Sequence, residues 1–109
     1  MAEFKKESNI LLLVNNEKVI VEEGIFNLLN FEEVGVVMTK SGNVLIYNKF
    51  GNIVWEYERK NCISEIWKKD DNTFCMYDGQ ADIWVDINKL KVVRMIWNPW
   101  GLNKNEKCE

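Results

Sequence analysis

Carboxylates are the only side chains in this sequence whose spacing could support acid–base chemistry. Asp78, Asp82 and Asp86 recur every four residues, Glu22, Glu23, Glu32 and Glu33 bracket one segment, and Asp70 and Asp71 sit in a polar run. Histidine is absent, which removes the commonest general base, the commonest metal ligand and the usual partner of a nucleophilic Ser or Cys. Two close carboxylates could still flank a glycosidic bond. Asp82 and Asp86, on either side of Trp84, are the best-spaced pair, but a sugar cleft normally needs a larger scaffold. No other chemistry is spelled out. Asp70-Asp71-Asn72-Thr73 opens like a calcium loop without its glycine and terminal glutamate. Gly35, Gly42, Gly51 and Gly79 are isolated rather than gathered into a phosphate loop. Ser8, Ser41 and Ser64 lack an elbow motif. We therefore expect no enzyme, no catalytic residue, no metal site and no cofactor.

Contact is the chemistry that remains. Read as a strand, Asp82 to Ile87 turns Ile83, Val85 and Ile87 to one face and Asp82, Trp84 and Asp86 to the other. The second face sets acids around a large aromatic, the mixture in which an aromatic anchors a contact and charge steers its partner. Glu65 beside Trp67 repeats the mixture, and Glu56 and Glu58 lie opposite Trp55 and Tyr57 on their strand. The expected partner-binding residues are Glu56, Glu58, Glu65, Asp82, Trp84 and Asp86.

The elements that would position them are short β-runs separated by turn residues. Ile10–Val14 and Val19–Val21 read as a hairpin about Asn15-Asn16. Seven runs follow: Val34–Met38, Val44–Tyr47, Ile53–Glu58, Cys62–Trp67, Thr73–Tyr77, Asp82–Ile87 and Leu90–Trp97. Their spacing predicts an all-β fold, mainly an antiparallel meander closed as a sandwich or barrel, with most tryptophans in the core. Residues 22–33 are the exception: Ile25, Leu28 and Leu29 share a helical spacing, so a short helix or an ordered loop is expected there. Pro99 ends the last strand, Trp100 is expected to cover an open end of the core, and 102–109 reads as a flexible tail. Asn43–Tyr57 echoes the stretch from Ile83 to Val93 some 40 residues on. The first stretch resembles a blade hairpin of quinoprotein-like β-propellers over about one hairpin, and the echo is read as convergence.

The chain has 109 residues, 47% of them hydrophobic, five tryptophans and a net charge of −3. That suits one ordered domain, 1–109, and argues against nucleic acid, which needs a basic stripe. Cys62, Cys75 and Cys108 are odd in number with no CxxC, and read as free thiols of a reducing compartment, with a Cys62–Cys75 disulfide as the alternative. The N-terminus leads to no signal-peptide h-region and no apolar run is long enough to span a bilayer, so a cytoplasmic protein without membrane association is expected.

In its size, acidity, tryptophan content and Lys/Asn/Ile/Glu-rich composition, the whole chain resembles the small immunity proteins of bacterial contact-dependent inhibition and related toxin systems. The resemblance implies a protein that neutralises a cognate toxin, a basic one such as a nuclease, by covering its active site with an acidic and aromatic face. A small-ligand-binding β-barrel or a structural phage-type component is the alternative, and an exposed edge strand could pair two copies into a homodimer.

Overall fold

The computed structural model describes residues 3–57 and 61–100. Among them every regular element is a strand, and all pairing is antiparallel. The chain falls into two compact units, Met1–Glu58 and Arg59–Glu109.

The first unit holds two sheets. Strands β1 (Lys5–Glu7), β2 (Ile10–Leu12) and β3 (Lys18–Ile20) make a three-stranded meander. Strands β4 (Ile25–Asn30), β5 (Val34–Thr39), β6 (Val44–Asn48) and β7 (Ile53–Tyr57) make a four-stranded one. Phe4, Leu11, Leu13 and Val21 from the first sheet region meet Ile25, Val37, Leu45 and Tyr47 from the second in one core cluster. This is a sandwich, in which two sheets bury apolar faces against each other. The other face of β5 and β6 (Val36, Val44 and Ile46) is fully buried as well. That explains why β5 reads as an almost continuous apolar run rather than an alternating one.

A reciprocal pair of bonds ties the chain's start to this core. Asn30 accepts the Phe4 amide through Oδ1 at 2.8 Å, and its Nδ2 donates to the Phe4 carbonyl at 2.9 Å. The Phe4 ring, 1% exposed, then lies flat over Gly35, where a Cβ would stand 2.9–3.1 Å from three ring carbons. A side chain at 35 would occupy the space the ring fills.

The second unit is one meander: β8 (Glu65–Lys68), β9 (Thr73–Tyr77), β10 (Ala81–Asp86) and β11 (Lys91–Trp97). Ile66, Phe74, Met76, Ile83 and Val85 share its buried face by register. Meanders β4–β7 and β8–β11 have the same up-and-down order about 40 residues apart, each with a bulge before its last strand, at Ile46/Tyr47 and at Trp84/Val85. The echo seen in one hairpin therefore extends over four strands.

Several expectations change. Residues 25–30 are neither helix nor loop. They form β4, entered through Gly24 at φ +82° and bulged between Ile25 and Asn27. The Ile25/Leu28/Leu29 spacing is helical, but pairing with β5 gives the backbone cross-strand partners, and the bulge resets the alternation so that Ile25 and Leu28 both serve the core. Strand β1 adds to the expected set. No sheet closes on itself among the described residues, so the barrel is not the architecture. The tryptophans are not the core: Trp55, Trp67 and Trp84 are half-buried, and Trp97 and Trp100 are 68% and 79% exposed. So exposed a Trp100 does not close an end of the core. Among the described residues no helix is long and apolar enough to cross a membrane.

Gly→Ala in a strand ordinarily stabilises slightly through the unfolded chain. Here Gly35→Ala is expected to cost about 1–3 kcal/mol by overpacking, and Phe4→Ala about 3–5 kcal/mol. In denaturant titrations the Gly35→Ala cost should largely vanish in a Phe4→Ala background; additive costs would show that the ring does not set the glycine.

Candidate functional site

Directly opposed residues of an antiparallel sheet share a face, so the register of the second meander settles what stands together. One cross-strand row is Glu65–Tyr77–Asp82–Ile96, and the next is Trp67–Cys75–Trp84–Arg94. Asp86 and Thr73 continue the same face. Four of the six expected contact residues, Glu65, Asp82, Trp84 and Asp86, are thus brought to one sheet face. Glu56 is exposed on β7 of the other unit, and Glu58 lies outside the described residues. A bulge on β7 also separates Ile53 from Trp55: Ile46 opposes Trp55, whereas Tyr47 opposes Ile53. Trp55 and Tyr57 still stack, with ring centroids 5.9 Å apart.

The two aspartates of β10 have different employment. Asp82 is 4% exposed. Its Oδ2 accepts from Asn98 Nδ2 at 3.0 Å, and its Oδ1 is buried without a hydrogen-bond partner. Burial pushes its carboxyl above the ordinary 3.8, against the Asn98 bond, which pulls it down. Asp86 closes the β10–β11 turn, accepting the amides of Asn88 at 2.8 Å and Lys89 at 2.9 Å through Oδ1. Those bonds, the Lys89 amide foremost, hold its carboxyl below 3.8, with Lys89 and Lys91 adding to the effect. Asp78 is likewise occupied with the amides of Gln80 and Ala81, and Asp70 with that of Asn72. The four-residue recurrence of Asp78, Asp82 and Asp86 is therefore two turn closures around one buried acid.

Cations that sequence reasoning missed complete the face. Lys69 Nζ and Arg94 Cζ stand 4.9 and 4.7 Å from the centroid of the Trp84 ring, within cation–π range. An uninterrupted hairpin would place Val93 opposite Trp84. The bulge between Trp84 and Val85 substitutes Arg94, and no local signal announces it. The Asp/Trp/Asp face therefore mixes acids with cations. One carboxylate is buried, one is bonded to backbone, and the aromatic lies under positive charge.

No group of three or more His, Cys, Asp or Glu able to hold a metal ion occurs among the described residues. Cys62 is a free, exposed thiol and Cys75 is disulfide-bonded. The free-thiol reading thus holds for Cys62 and fails for Cys75, and a bridge between the two is excluded. The sequence matches no protein-family model and no curated protein.

Because the folded state holds Asp86 below its ordinary value, its contribution is present above pH 3.8 and is lost as pH falls through the folded value. Asp86→Ala should cost about 1 kcal/mol at pH 7 by releasing two amides. Asp86→Asn, which keeps an acceptor oxygen, should cost less and flatten the acid limb between pH 2 and 5 in urea melts. An Asp86→Asn acid limb as steep as the parent's would exclude this carboxylate as its source.

Proposed function

We propose that this chain is a binding protein of the immunity type, which neutralises a cognate basic toxin by covering its active site, and that it carries out no catalysis of its own. The observation that carries the reading is the segregation of charge between the units. The first, 1–58, has nine carboxylates against five lysines, a net of −4, while residues 59–109 have nine cations against eight carboxylates, a net of +1. A surface of one sign steers an oppositely charged partner and excludes like-charged ones.

Within the first unit some acids serve the fold. Glu23 accepts from Ser41 Oγ and from Asn43 Nδ2, clamping the β3–β4 turn to the β5–β6 turn, and Glu33 pairs with Lys49 at 3.2 Å. Glu7, Glu17, Glu22, Glu32 and Glu56 are exposed, and Phe26 and Phe50 of the same unit are exposed large apolar side chains. Acid and aromatic together are what the reading requires, and they support moving the contact role from Asp82 and Asp86 to this unit. Glu56 keeps the role first assigned to it.

The test is co-expression with the toxin domain encoded beside this chain, followed by stopped-flow association. Protection from the toxin is expected, with Glu22→Lys/Glu32→Lys slowing association about tenfold at low salt and weakening its salt dependence. Absence of protection would overturn the immunity reading. Protection with unchanged association in the double variant would overturn the role of these acids.

A further inference from the structure

Asn98, just beyond β11, is held by three bonds to the β9–β10 hairpin. Its amide donates to the Gln80 carbonyl at 2.7 Å. Its carbonyl accepts from the Tyr77 hydroxyl at 2.8 Å. Its side-chain Nδ2 donates to Asp82 Oδ2 at 3.0 Å. Asn98 is itself buried, as is Asp82. The second carboxylate oxygen, Oδ1, is enclosed without a hydrogen-bond donor. A charged carboxylate in that position lacks the hydration it would have in water, a loss that costs the neutral acid much less.

We propose that Asp82 and Asn98 form a proton-operated latch: with Asp82 protonated the end of β11 is closed onto the β9–β10 hairpin, and ionisation favours an opened form in which Asn98 detaches and water reaches Oδ1.

The surroundings offer Asp82 no close counter-charge among the described residues. Opposite it stand Tyr77 on β9 and Ile96 on β11. Glu65, beyond Tyr77 on β8, shares the row and has the same sign. Arg94, two residues along β11, lies over the Trp84 ring instead. Asp78, in the adjoining turn, binds its own turn amides, and Asp86 does the same at the far end of β10. Burial accordingly raises the Asp82 carboxyl above 3.8. A group whose folded value is raised stabilises the closed form fully below its unfolded value, and that contribution is lost as pH rises through the folded value. The direction is opposite to that of Asp86, four residues away.

The experiment is amide hydrogen exchange of Asn98 across pH, corrected for intrinsic exchange, together with a carbon-detected titration of the Asp82 carboxyl in the unmodified chain. The opening constant at Asn98 should rise with pH above 3.8, by up to about tenfold per unit, and level off at the measured carboxyl titration. Asp82→Asn, neutral at every pH and still able to accept from Asn98 Nδ2, should remove the pH dependence and raise Asn98 protection at pH 7. A carboxyl titrating at or below 3.8 would overturn the latch without recourse to any variant. So would an Asp82→Asn chain whose Asn98 protection follows the parent's pH profile.

Discussion

At five turns of this chain an Asn or Asp side chain accepts the backbone amide two residues ahead: Asn15, Asn48, Asp70, Asp78 and Asp86. Asn48, Asp78 and Asp86 each take a second amide as well. The bond substitutes a side-chain oxygen for a backbone carbonyl, so the turn is closed by local contacts of its own. In a fold made only of short antiparallel strands, the turns set the registers, and the registers decide which side chains share a face. The arrangement of β2–β3, β6–β7, β8–β9, β9–β10 and β10–β11 depends on these oxygens.

The same bonds determine what the acidic residues can do. A carboxylate holding two amides at a hairpin end is oriented and partly neutralised, and it is a poor candidate for either proton transfer or recognition. Asp86 and Asp78 belong to that group. Asp82 lies between them in sequence and on the same sheet face as Asp86, and differs because it is buried beside Asn98 rather than engaged by turn amides. Chemically identical side chains four residues apart are thus driven in opposite directions on the pH scale, one by backbone donors and the other by burial.

Packing supplies the second level of constraint. The first unit closes because Asn30 reaches the Phe4 backbone in both directions and Gly35 leaves room for the ring. These contacts join residues 26 or more positions apart. They turn two modest sheets into a sandwich, in a unit whose carboxylates outnumber its lysines nine to five.

Local information in the sequence was sufficient for the all-β class, for most of the strands and for the hairpins. Period-two alternation and Asn, Asp and Gly at the turns act over a few residues, and they mean the same thing wherever the chain goes next. The shared face of Ile83 and Val85, and that of Asp82, Trp84 and Asp86, were legible for the same reason. Other features depended on partners that local pattern does not name. Residues 25–30 carry a helical spacing, and only pairing with β5 makes them a strand. The bulges at Ile46/Tyr47 and Trp84/Val85 shift the register by one residue, separating Ile53 from Trp55 and bringing Arg94 over Trp84. Whether an aspartate faces water, a turn amide or the interior follows from what the opposite strand and the following segment place beside it. That was decided by tertiary structure alone, because burial is a property of neighbours rather than of residue type.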